Sequence, residues 1–243
     1  MANRQRAEAR RKAQAKVARQ TGEGGGGRGF VWIAIAVVVV LGGGIAFFAT
    51  RGDDKNSTVT ADTNPFTGLP VSQPVSVTGD VLVPYDGQAT SDAAIGKTAP
   101  VIAGLDFQGD PVVVDGTKGG PYMVVFLAHW CPHCNAEVPR LLAWKTQGGV
   151  PANLHIVGVA TAVSSSAPNY PPAQWFSNKG WSWPVMVDQS QGDATAGVAA
   201  TAFGATGWPY FVIVGTDGKV KARVSGEVSI ADLQKIVDAA IAA

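Results

Sequence analysis

The chain of 243 residues contains two cysteines, and two residues separate them. They are Cys131 and Cys134, in the stretch "VVFLAHWCPHCNAEVPRLLAW" at 124–144. Two of the three histidines, His129 and His133, lie in the same stretch. Thiols at this spacing can close a disulfide within one helical turn and open it again, which is two-electron chemistry on sulfur. Thiolate and imidazole are also soft donors suited to Cu(I) or Zn(II). Glu137, three residues beyond Cys134, adds a carboxylate on the same helical face.

The elements that must position these groups are legible around them. "YMVVFLA" at 122–128 is continuously apolar, as a strand buried on both faces should be. A helical stretch, "PHCNAEVPRLLAWKTQ", follows and is interrupted by Pro139. A helix start leaves unpaired backbone N–H groups and partial positive charge, which stabilise a thiolate over a thiol. Cys131 is therefore expected as the attacking, partly exposed thiol and Cys134 as the resolving thiol one turn inside. A histidine beside the reactive sulfur, His133, stabilises the thiolate further and makes the corresponding disulfide more oxidising.

Downstream, "NLHIVGVAT" (153–161) and "WPVMVD" (183–188) are predicted strands, and 171–180 and 194–204 are predicted helices. "YFVIVGTDGKVKARVSG" (210–226) predicts a hairpin around Asp217-Gly218, and Ser229 predicts the N-cap of a last helix. Upstream, "PVVVD" (111–115) predicts a strand, and "GDVLVPYDG" (79–87) a short edge strand at best because of Pro84. Together these give a central sheet with helices on both sides.

The segment "FLAHWCPHCNAEVPRL" resembles the active-site segment of the thioredoxin superfamily, in particular its membrane-tethered TlpA/ResA-like branch. The resemblance covers about 96–243. It implies an α/β, thioredoxin-like three-layer sandwich with a central mixed β-sheet. It also implies a protein thiol–disulfide oxidoreductase whose redox-active disulfide serves in place of any cofactor, and no metal. Trp130 stands before the first cysteine as in that family, and Pro139 sits where the family kinks its helix. "GWPYFVIVGTDGKV" resembles the segment with a cis-proline facing the disulfide, which maps to Pro209. That arrangement would leave the backbone of Trp208 free to pair with a substrate strand. Many thioredoxins carry a buried acid six residues before the first cysteine, where this chain has Val125. ResA-like proteins carry a glutamate at the position of Glu137, which implies a general acid/base role there; a surface charge or first-turn dipole partner is the alternative. The dipeptide Pro132-His133 is that of the DsbA oxidants, whereas the spacing from Cys131 to Pro209 fits the reductant branch. The direction of electron flow is left open.

The competing reading is a thioredoxin-fold Cu or Zn carrier that uses His129, Cys131, His133 and Cys134. Structural zinc usually needs a second ligand pair, and no other cysteine exists. A binding domain that merely keeps the fold would be expected to have lost one cysteine. His129 could tune the site or cap a strand edge, and His155 reads as a satisfied core or strand histidine. Most of Trp175, Phe176, Trp181, Trp183, Trp208 and Tyr210 read as core, with some lining a groove around Cys131.

Charge is distributed unevenly. Residues 1–28 hold eight basic residues against two acids, and the chain from 51 onward eleven against sixteen. Between them, 30–49 is an uncharged apolar run of the length a membrane-spanning helix needs. The basic flank then stays cytoplasmic and pairs with anionic lipid rather than nucleic acid. A cleaved signal peptide, with small residues at Gly44 and Ala46, is the alternative. The expected organisation is a basic cytoplasmic tail (1–29), a transmembrane signal anchor (30–49), an extracytoplasmic linker (50–88) and a thioredoxin-like domain (89–243). It places the enzyme on a cell membrane, single-pass, facing protein thiols outside and recharged by a membrane redox partner.

Overall fold

The computed structural model describes residues 62–64, 67–118 and 120–242. The basic tail, the apolar run 30–49 and the start of the linker lie outside the described residues. Among the described residues, no helix is long and apolar enough to cross a membrane.

Strand β6 (Tyr122–Leu127) is the axis of the domain. Its alternate side chains enter two different cores: Met123, Val125 and Leu127 on one face, Val124 and Phe126 on the other. This double burial is why the run carries no polar residue. Beside it lies β7 (His155–Ala160), parallel, with Val124 opposite Val157, and then β8 (Val185–Val187), also parallel. On the other side β9 (Tyr210–Val214) runs antiparallel to β6, and β10 (Val220–Ser225) antiparallel to β9. The order β10-β9-β6-β7-β8 is a central mixed sheet in a thioredoxin-like α/β fold. The hairpin turns at Gly218, whose φ of 72° is left-handed backbone that glycine adopts without a Cβ clash.

Helices α1 (Pro132–Thr146), α2 (Pro172–Asn178) and α4 (Ile230–Ala242) cover one face of this sheet. The last begins where expected: Ser229 Oγ accepts the Asp232 N–H at 3.1 Å. The other face differs from the expectation of helices on both sides. Among the described residues, only the short α3 (Val198–Ala202) packs there, and a second sheet completes the layer. That sheet is β3 (Ser76–Thr78), β4 (Val101–Leu105) and β5 (Pro111–Val114), all antiparallel. A two-stranded pair, β1 (Asp62–Thr63) and β2 (Pro70–Ser72), precedes it.

The stretch 70–88, expected as linker, is instead laid onto the domain, and 79–87 forms no strand. The peptide N–H groups of Leu82 and Tyr85 reach the carbonyls of Ala202 and Gly204, each at 2.9 Å. Arg223 of β10 fastens this strap from beneath. Its guanidinium is buried, donates to the Val83 carbonyl at 2.7 Å and forms a bidentate ion pair with Asp92, whose Oδ2 accepts Nε at 2.7 Å. Gly204, with φ of 71°, sits where a Cβ would collide with the Val83 carbonyl.

Breaking a buried ion pair from one side leaves a desolvated charge. Asp92→Ala is therefore expected to lower the unfolding free energy by about 3–5 kcal/mol in urea titration. Val113→Thr, at a side chain half exposed on β5, is expected to stay within about 0.5 kcal/mol.

Candidate active site

Cys131 is the N-cap of α1, in extended conformation, with Pro132 at the first helical position. Proline suits that place because its missing N–H would have had no helical partner. No acidic residue stands in the first turn to offset the positive field of its free N–H groups. Asn135 locks the turn: its Nδ2 donates to the Cys131 carbonyl at 2.9 Å and the His129 carbonyl at 3.2 Å. Its Oδ1 accepts Trp175 Nε1 at 2.9 Å. Pro139 has no N–H to give the carbonyl four residues back, that of Asn135, and Lys179 Nζ from the end of α2 takes it at 3.2 Å.

The two sulfurs are electrically unlike. Both cysteines are free and buried, with Cys131 5% exposed and Cys134 fully enclosed. The Cys134 thiol donates to Cys131, and the N–H groups of Cys134 and His133 and the charge of His133 add to this against the cost of burial. The Cys131 thiol is thereby brought down from 9.0 to about 6. Burial, and then its role as donor to Cys131, push the Cys134 thiol far up. The Cys131 thiol in turn donates to the carbonyl of Trp208 at 3.4 Å. An ionised Cys131 has no proton for that bond, so ionisation releases the Trp208 carbonyl.

Glu137 is fully buried rather than on the surface. Its Oε2 accepts the Val228 N–H at 3.3 Å and Arg140 Nη1 at 3.1 Å, while Oε1 has no hydrogen-bond partner. Burial outweighs those two donors and raises its carboxyl above the ordinary value. Its charge acts on Cys134, raising that thiol further. His133 is exposed, and its Nδ1 meets Glu227 Oε1 at 2.8 Å. That carboxylate lifts the affinity of the imidazole for its proton.

The rim is built from half-buried aromatics. Trp130 Nε1 donates to the Ala162 carbonyl at 2.7 Å, and Trp208 joins Pro209 through a cis peptide bond beside Cys131. The Trp208 backbone, expected to be free, is thus engaged through its carbonyl when Cys131 is a thiol. Val125 is buried, where an acid would stand in many thioredoxins. Trp175, Phe176 and Tyr210 are core, whereas Trp181 and Trp183 are half-buried and stacked edge to face 5.0 Å apart.

The four candidate metal ligands are not gathered. Both ring nitrogens of His129 are occupied inside the fold: Nε2 accepts the Ser164 N–H at 3.3 Å and Nδ1 donates to the Pro168 carbonyl at 2.8 Å. His129 anchors the 161–171 connection, and burial lowers its affinity for a second proton. Among the described residues, no group of three or more His, Cys, Asp and Glu side chains could hold a metal ion. His155 is exposed at the start of β7, its ring 5.3 Å from Tyr122, so of the core and strand readings the strand one holds.

Asn135, Arg140, Lys179 and Glu227 belong to the site and were missed in the sequence. Asn135 could have been found from its position in the first turn of the helix. Glu227, 94 positions from His133, carries no local signal.

A family model described as AhpC/TSA matches residues 95–223. No curated protein matches the chain. Among solved structures, it is similar to a thiol:disulfide interchange protein of the thioredoxin family from Chlorobium tepidum TLS, at 29% identity over 60% of this chain and 96% of that one, TM-score 0.47. It is also similar to the thioredoxin domain of a thiol-disulfide oxidoreductase from Bacteroides vulgatus, at 23% identity over 60% and 96%, TM-score 0.44. A thiol-disulfide isomerase from Corynebacterium glutamicum is similar at 17% identity over 53% and 84%, TM-score 0.44.

Ultraviolet thiolate absorbance of the reduced protein should titrate with a midpoint near 6, and absence of any ionisation below pH 8 would contradict the site electrostatics. The folded value lies below that of an unfolded thiol, about 8.5. The reduced protein should therefore gain stability as pH rises from about 6 to about 8.5 and lose it as pH falls through 6, a slope the disulfide form lacks.

Proposed function

The chain belongs to the AhpC/TSA family, and from that premise we propose that it oxidises protein thiols outside the cytoplasm while tethered to a membrane. It is a thiol–disulfide oxidoreductase. The observation that carries the direction is the asymmetry of the sulfurs: a Cys131 thiol held near 6, opposite an enclosed Cys134 with the reverse tendency. Stabilising one thiolate stabilises the reduced enzyme, and a stable reduced form makes the disulfide a strong electron acceptor.

In the oxidising half-reaction, a substrate thiolate attacks Cys131 Sγ of the Cys131–Cys134 disulfide. A substrate–Cys131 bond forms, the Cys131–Cys134 bond breaks, and Cys134 leaves. Its sulfur is a poor leaving group alone, so it takes a proton from Glu137, which burial keeps protonated to higher pH. A second substrate thiolate then attacks its neighbour's sulfur in the mixed disulfide. Cys131 departs as the stabilised thiolate with the electron pair, the substrate holds the new disulfide, and the enzyme holds the dithiol. No organic cofactor enters, since both electrons travel on sulfur.

The substrate in this reading is an extended protein segment lying across Trp130, Pro132, Trp208 and Pro209. The Trp208 carbonyl, free once Cys131 has no proton, accepts its backbone N–H. A membrane redox partner takes the two electrons from the dithiol and restores the disulfide. The tether itself rests on the basic flank at 1–28 and the uncharged run at 30–49.

Three measurements test this reading. Cys134→Ser leaves a Cys131 thiolate that attacks disulfides of oxidised clients or of the recycling partner and lacks the thiol that resolves the product, so mixed disulfides on Cys131 should accumulate in the full chain, and none should form when Cys131 is also replaced. The reduction potential should lie above the roughly −270 mV of thioredoxin, with the pair mostly disulfide in the cell; a mostly dithiol pair would reverse the direction. Glu137→Gln should slow release of Cys134 by about 100-fold and flatten its pH profile. An unaltered profile would remove the proton transfer.

A further inference from the structure

Glu227 lies in the connection between β10 and α4 and touches neither sulfur, yet it reaches the helix that carries both. Its carboxylate is divided between two partners on α1: Oε1 takes His133 Nδ1 at 2.8 Å, and Oε2 takes Arg140 Nη1 at 2.6 Å. The same Arg140 nitrogen is 3.1 Å from Glu137 Oε2, and the next residue, Val228, gives its N–H to that oxygen at 3.3 Å. Two successive residues of one loop therefore grip the ionisable neighbours of both sulfurs. A two-point hold on a carboxylate fixes its plane, so His133 meets an acceptor that cannot swing away.

We propose that Glu227 is a positioning residue for the redox pair, holding the His133 ring, through a carboxylate braced by Arg140, as the cationic neighbour of Cys131. The groups that face His133 are Glu227 from the loop and Cys131 from its own helix, with Arg140 and Glu137 behind the carboxylate. Glu227 strengthens the imidazole's hold on its proton, the imidazolium favours the Cys131 thiolate, and the thiolate makes the disulfide more oxidising. The loop after β10, remote in sequence from the cysteines, thus sets part of the driving force.

The inference rests on the thiol–disulfide reading, and the test separates the two. The full chain, wild type and Glu227→Gln, is equilibrated with glutathione buffers, and the His133 ring and Cys131 thiolate are titrated. Wild-type protein that does not exchange with glutathione would sink the parent reading. In exchange-competent protein, Glu227→Gln should lower the His133 midpoint, raise the Cys131 midpoint and reduce the oxidising equilibrium constant about threefold, as befits a half-exposed ion pair. The same substitution in a His133→Ala background should change the constant by less than half as much. A Glu227→Gln protein with unchanged midpoints, or a shift of half or more persisting without His133, would overturn the assignment.

Discussion

A sulfur at the mouth of a helix is the constraint around which this domain is arranged. The N–H groups that open α1 have no helical acceptors, and Cys131 stands where they converge. That field acts only if the helix start is rigid, dry and free of competing negative charge. Asn135 supplies the rigidity by bonding the Cys131 carbonyl, the aromatic rim and buried strand β6 exclude water, and the first turn carries no acid. Cys134 experiences the opposite environment one turn deeper, with Glu137 beyond it. One short helical segment thus creates two thiols of different character from a single residue type.

Much of this was legible in the sequence because its signals are local. The apolar run of β6, the Asp217-Gly218 turn and the Ser229 cap each state their structure within a few residues, and all three are found. The positions of Cys131 and Cys134 follow from the same local logic. Glu137 could be placed on the right face by helical spacing, but its enclosure depends on Val228 and Arg140, which spacing does not reveal.

What the sequence hid was assembled from distant parts. Residues 70–88 read as linker because their composition is polar and rich in proline and glycine, yet Arg223 of β10 and the carbonyls of Ala202 and Gly204, at and just past the end of α3, hold them on the domain. The β4 strand, "VIAGL", was passed over because its neighbour β5 alone had a clear pattern; pairing across Ile102 and Val114 defines it. His155 was read as a core or a strand histidine; it opens β7, and its place at the open end of the strand leaves it exposed.

The bond between Lys179 and the Asn135 carbonyl has a mechanical meaning. Pro139 interrupts the internal ladder of α1 just behind the sulfurs, and the vacant rung is filled from another element. The helix is thereby split into a rear half clamped in the core and a front half tethered to α2. The excursion between β7 and β8 becomes a lever arm on the reactive end. Exchanging Lys179, at the end of that excursion's helix α2, alters the hold on the reactive end while Trp175 and Phe176 keep α2 seated in the core, so the chemistry can diverge on a fixed scaffold.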